Sequence, residues 1–146
     1  MMERYQASAR KTDSSLQVDV HSRGIHTTID EPASLGGGNT GMNPVELVLS
    51  ALGTSLQETA TELAATNKFN YEQMTVALEG DLDAAGFMGD PDIRNGFQEI
   101  RYNLAFKTDE TQAACDRFAD KVEANCPVKD MLSNGVTIAL DQVEIV

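Results

Sequence analysis

The stretch "GMNPVELVLSALGTSLQETATELAA", Gly41 to Ala65, decides how the rest of the chain is read. Asn43 is a good helix cap, Pro44 fits the first helical position, and Glu46 completes an Asn-x-x-Glu capping box. Val45, Val48, Leu49, Leu52, Leu56, Ala60 and Leu63 recur at intervals of three and four. This is the apolar stripe of an amphipathic helix that ends near Asn67. Its middle is weak, because Gly53, Thr54 and Ser55 interrupt it. Glycine costs about 1 kcal/mol against alanine in a helix interior. Either small residues let central helices pack closely here, or a small reactive group needs room.

Alternating patterns flank this helix. Tyr5 to Arg10 reads as a first strand. Leu16, Val18 and Val20 alternate with Gln17, Asp19 and His21, "SRG" from Ser22 makes a tight turn, and Ile25 to Asp30 returns as the second arm of a hairpin. Downstream, Tyr71 to Asp83 and "FQEIRYNLAFKTD" from Phe97 form two long strands of a second hairpin. Glu110 to Asn125 has helical spacing, "CPVKDMLSNG" from Cys126 opens a short helix, and "VTIALDQVEIV" from Val136 reads as a terminal strand. The order βββ-α-ββ-α-α-β, with strands in hairpins, predicts an α+β fold with a mainly antiparallel sheet. At 146 residues the expectation is a single domain, 1–146.

Composition excludes several functions. Eleven basic against 23 acidic residues give a net charge of −12, unsuited to nucleic acid or to anionic membrane surfaces. No run reaches the ~20 apolar residues of a membrane span, and no signal-peptide core opens the chain. A cytoplasmic protein is the expectation. The Gly-rich loop "EPASLGGGNTGMNP" lacks the spacing of a phosphate loop. Cys115 and Cys126 lie roughly 16 Å apart on a helical path, too far to bridge. With no CxxC and no Cys/His cluster, neither a metal nor a cofactor is expected. The acidic segment "DLDAAGFMGDPDIRNG" does not fit a calcium loop and reads as a solvated hairpin tip. Met74, Met88 and Met131 suit core filling or a pocket lining.

"GMNPVELVLSALGTSL" and, some 70 residues later, "ANCPVKDML" together resemble the OsmC/Ohr family, the osmotically inducible and organic hydroperoxide resistance proteins. The resemblance extends over essentially the whole chain. It implies an intertwined homodimer with a long central helix and a second helical segment, with sites at the subunit interface. It also implies a thiol peroxidase acting on small organic hydroperoxides. In such a site one cysteine attacks the peroxide, a second resolves the sulfenic acid, and a Glu and an Arg position the first thiolate. Glu46 matches the family Glu and Cys126 the resolving cysteine. Ser55 falls where the attacking cysteine is expected. Arg23 is the candidate for the Arg, with Arg10 as the alternative.

A serine oxygen cannot pass through a sulfenic acid, so Ser55 removes the two-thiol route. A serine hydrolase needs an adjacent base, and the histidines, His21 and His26, stand five apart on the first hairpin, which predicts opposite faces; no GxSxG elbow is present. Cys126, beside Pro127 at a helix start, is left as a moderately reactive thiol. Glu46 and Ser55, nine residues apart, point to opposite sides of one helix, roughly 13 Å apart along it. That arrangement suits a site shared between two chains. Two readings follow: a hydroperoxide reductase altered by Ser55, or a pseudo-enzyme that binds a small apolar ligand.

Overall fold

The computed structural model describes residues 1–146 as two compact units, Met1–Ser50 and Ala51–Val146. Helix α1, Pro44–Thr66, begins in the first and continues through the second.

In the first unit, strands β1 (Ser8–Lys11), β2 (Val18–Ser22) and β3 (Ile25–Ile29) form an antiparallel sheet in the order β1-β2-β3. The first strand begins later than its sequence pattern predicts. The β2–β3 turn places Arg23 at φ 54° and Gly24 at φ 78°, the pair of positive φ values that a tight two-residue hairpin turn requires. The register sets His21 directly opposite His26. This corrects the expectation that the two histidines face opposite ways. Counting by twos holds along one strand, but across a turn the register decides, and directly paired residues share a face.

The Gly-rich loop is organised by Asp30, which is 2% exposed. Its carboxylate accepts the Thr40 hydroxyl at 2.6 Å and the N–H groups of Glu31, Gly38 and Thr40 at 2.8–3.1 Å. A Cβ at Gly41 would lie 2.1 Å from the Thr28 carbonyl oxygen, so only glycine lets the loop close on β3. The loop's polar groups are therefore turned onto the protein itself. The Thr40 hydroxyl, then the Glu31 N–H, hold the Asp30 carboxyl down at about 2, against an ordinary 3.8. A lowered native pKa contributes stability that is present above the ordinary value and lost as pH falls through the native one. Asp30→Asn is accordingly expected to flatten the fall in urea midpoint between about pH 4 and pH 2. An unchanged pH profile in that variant would show that other carboxylates govern acid unfolding.

Helix α1 starts as its sequence predicts. The Glu46 N–H donates to Asn43 Oδ1 at 2.8 Å, and the Asn43 N–H donates to Glu46 Oε1 at 3.0 Å, a reciprocal capping box.

In the second unit, the rest of α1 packs on the hairpin of β4 (Gln73–Leu82) and β5 (Phe97–Lys107), together with α3 (Gln112–Asn125) and α4 (Pro127–Asn134). A short helix, α2 (Ala84–Phe87), occupies the hairpin tip, where Asp83 caps it by accepting the Ala85 N–H. Strict alternation puts Met74, Val76 and Leu78 on the inner face, opposite Phe106, Leu104 and Tyr102. The core is Leu52, Leu56, Ala60, Phe69, Met74, Phe118, Val122 and Cys126. Met74 belongs to it, whereas Met88 and Met131 are exposed.

Gly53 accounts for part of the weak helix centre. A Cβ there would come 2.9 Å from Leu78 Cδ1. Within the chain, the close neighbour is thus a side chain of the sheet, not another helix. Gly53→Leu is expected to cost about 1–3 kcal/mol through overpacking, read as a lower urea midpoint. Gly53→Ala should stay near neutral, since gained helix propensity offsets a displaced Leu78. A stabilised Gly53→Leu would show spare room under α1.

The predicted terminal strand does not form. Residues 136–146 carry no regular structure, and Val136, Ile138, Leu140, Val143 and Ile145 are all exposed. A strand needs a neighbouring edge to satisfy its backbone, and the segment pairs with no edge of either sheet.

Candidate functional site

Ser55 and Cys126, 71 residues apart, meet inside the second unit. The Cys126 thiol donates to Ser55 Oγ at 3.2 Å. Two elements produce this contact. Ser55 lies on the α1 turn between the buried Leu52 and Leu56, which orients that face of the helix inward. Cys126 ends α3 and caps α4, in extended conformation at φ −78° and ψ 113°. Its Sγ accepts the Lys129 N–H at 3.4 Å, and Pro127 occupies the first position of α4. Cys126 is 2% exposed, while Ser55 is half-buried and lines a cleft of about 380 Å³ with Glu58, Thr59, Glu62, Leu63, Asn125 and Pro127.

Tyr102 packs against the core cluster that contains Cys126 and pairs with Glu123, and nothing in the sequence singles the two out. The Tyr102 hydroxyl donates to the Glu123 carboxylate. Burial raises the Tyr102 phenol well above its ordinary value, and the Glu123 carboxylate and Cys126 push it the same way. The phenol therefore stays a protonated donor. Only the contact between β5 and α3 brings the two together.

The other two candidates lie in the first unit. Glu46 sits in the first turn of α1 with its carboxylate engaged by the Asn43 N–H. Arg23 sits in the β2–β3 turn, and its alternative, Arg10, on β1. Both cysteines are free, Cys126 buried and Cys115 half-buried. His21 and His26 also belong to the first unit, on the β2–β3 hairpin.

The fold is thus that of an α+β protein in which a buried helix-capping thiol meets a hydroxyl of the long inner helix. The family model described as OsmC-like protein matches residues 36–141. The chain belongs to the OsmC-like protein family. Among solved structures, it is similar in fold to an OsmC-like protein from Mycoplasma pneumoniae, at 19% identity and TM-score 0.79, with 91% of this chain and 89% of that one covered. It is similar also to an organic hydroperoxide resistance protein OsmC from Legionella pneumophila, at 18% identity and TM-score 0.69, with 92% and 93% covered. A third is an organic hydroperoxide resistance protein from Elizabethkingia anophelis, crystallised with thiocyanate bound. It is 16% identical with a TM-score of 0.68, and 89% and 88% of the chains are covered. No curated protein matches the chain. No helix is long and apolar enough to cross a membrane.

Proposed function

We propose that this protein derives from thiol-dependent organic hydroperoxide reductases and keeps their two-position site with an oxygen in the attacking place. The observation that carries this reading is the 3.2 Å approach of Ser55 Oγ to Cys126 Sγ. Two thiols at such positions need only a short further approach to form a disulfide. With Ser55 the first sulfur is absent, and the step that takes oxygen from the peroxide has no acceptor at that position. Cys126, buried and turned toward Ser55, is the resolving thiol left without its partner.

In this reading Glu46 and Arg23 complete the site across a homodimer. Two observations favour a second copy: the large apolar side chains within residues 136–146 lie exposed, and Val48, on the apolar stripe of α1, is at least a third exposed. Sedimentation equilibrium should then give twice the 15.8 kDa chain mass; a monomer mass would remove Glu46 and Arg23 from the site. The setting is the cytosol, where thiols stay reduced.

The test is turnover of an aromatic organic hydroperoxide with a dithiol reductant. The protein as it stands, and Cys126→Ser, are expected to sit at background. Turnover that Cys126→Ser abolishes would make Cys126 the attacking thiol and overturn the reading.

A second reading, binding of a small apolar ligand, is favoured by one feature of the second unit. A cleft of about 340 Å³ is lined by Leu52, Phe97, Ile100, Tyr102 and Leu132, with Arg94 and Lys129 among its polar residues. That volume lies within the range of small-molecule sites. Native mass spectrometry of the purified protein would show such a ligand as a constant added mass.

A further inference from the structure

The β2–β3 hairpin carries a cluster that the Ser55–Cys126 site does not use. Asp19 and His21 are two apart on β2 and so share a face. His26 stands directly opposite His21 on β3. The two imidazole rings stack with centroids 4.8 Å apart and an interplanar angle of 24°. His26 Nδ1 lies 2.9 Å from Asp19 Oδ2, and His21 Nδ1 lies 4.0 Å from the same oxygen. One ligand atom from each of the three residues falls within 4.8 Å of the others.

We propose that Asp19, His21 and His26 form a surface site for one divalent transition-metal ion, with zinc the fitting occupant. Two imidazoles and a carboxylate are a donor set that zinc takes readily, with a water or an incoming group in the fourth position. Around a tetrahedral zinc with bonds of about 2.0 Å, ligand atoms stand roughly 3.3 Å apart. The Asp19–His26 pair is already closer than that, and the stacked His21 ring needs only a modest side-chain rotation. An independent observation points the same way. His21 Nδ1 is shielded from solvent yet has no hydrogen-bond partner, an arrangement that is costly for a nitrogen unless something binds it. The strands fix the backbone of all three residues. The net charge of −12 draws cations to the molecule. The site is half open to solvent, with side-chain exposures of 36% for Asp19, 41% for His21 and 58% for His26. An ion there would reach the protein surface and could hold an exogenous anionic ligand. The proposal is independent of the Ser55–Cys126 reading, because no residue is shared.

The test titrates the full-length protein with Co²⁺, followed by absorption, and then displaces Co²⁺ with Zn²⁺. The expected result is one ion per chain, a spectrum without sulfur-to-metal charge transfer, and at least about tenfold weaker binding in both His26→Ala and Asp19→Asn. Asp19→Asn keeps the side-chain shape, and far-UV circular dichroism confirms that each variant folds. Absence of saturable binding overturns the proposal. So does binding unchanged in both variants, or a sulfur charge-transfer band that disappears in Cys126→Ser.

Discussion

Ser55→Cys is expected to convert the protein into a working hydroperoxide reductase, raising turnover with a dithiol reductant by at least about a hundredfold, or ~2.7 kcal/mol of barrier. The new sulfur would stand where Ser55 Oγ now lies, 3.2 Å from Cys126 Sγ. Its thiolate would attack one peroxide oxygen, the O–O bond would break, and the alkoxide would leave as the alcohol after taking a proton. The resulting sulfenic acid would condense with the Cys126 thiol, forming the disulfide and releasing water. The dithiol would then return both cysteines to thiols. Cys126 sits at the start of α4 with Pro127 behind it, so the resolving sulfur is held in place rather than delivered by a loop. The measurement is steady-state turnover, with mass spectrometry for the two-hydrogen loss that marks a disulfide between the introduced thiol and Cys126. A disulfide without turnover would show that the pair is close enough but that substrate positioning is gone. Neither disulfide nor turnover would mean that the site does not descend from a two-thiol centre.

Leu56→Ala should have the largest effect on stability. Leu56 is 0% exposed and lies in the core among Leu52, Ala60, Met74 and Phe118. Removing three buried carbons costs the transfer free energy and leaves a cavity, together about 2–5 kcal/mol. In a chain of this size each kcal/mol lowers Tm by about 2–4 °C. The denaturation midpoint should fall with its slope unchanged. Leu35→Ala is the matching control, since Leu35 is 63% exposed, and a change within about 0.5 kcal/mol is expected. A Leu56→Ala cost below about 1 kcal/mol would mean that α1 relaxes into the space, a softer core than its residues indicate.

Much of the fold is legible in local chemistry. The Asn43–Glu46 box, Pro44, the Ser22–Gly24 turn, the Cys126–Pro127 helix start and Gly135 at the end of α4 each act through neighbours a few residues away. The alternation in β4 and β5 is equally local, and it set which side chains face the core. Alternation predicts a strand for "VTIALDQVEIV", yet the segment stays irregular, because pattern specifies a face and only pairing with a neighbouring edge supplies hydrogen bonds.

The candidate site divides the same way. Ser55, Cys126 and Glu46 are candidates by motif resemblance, since no spacing rule connects positions as distant as Ser55 and Cys126, whereas Arg23, with Arg10 as its alternative, is a candidate that no motif marks. What the sequence alone determined is the chemistry available: an oxygen on the inner helix, one thiol at a helix start, and a chain of strong negative charge. Tertiary structure alone decided which of these groups meet. It set Ser55 Oγ against Cys126 Sγ, joined Tyr102 to Glu123, and turned His21 and His26 onto one face beside Asp19. The physical reason is that side-chain direction follows from local backbone geometry, whereas contact between distant residues depends on strand register and on how helices settle on the sheet.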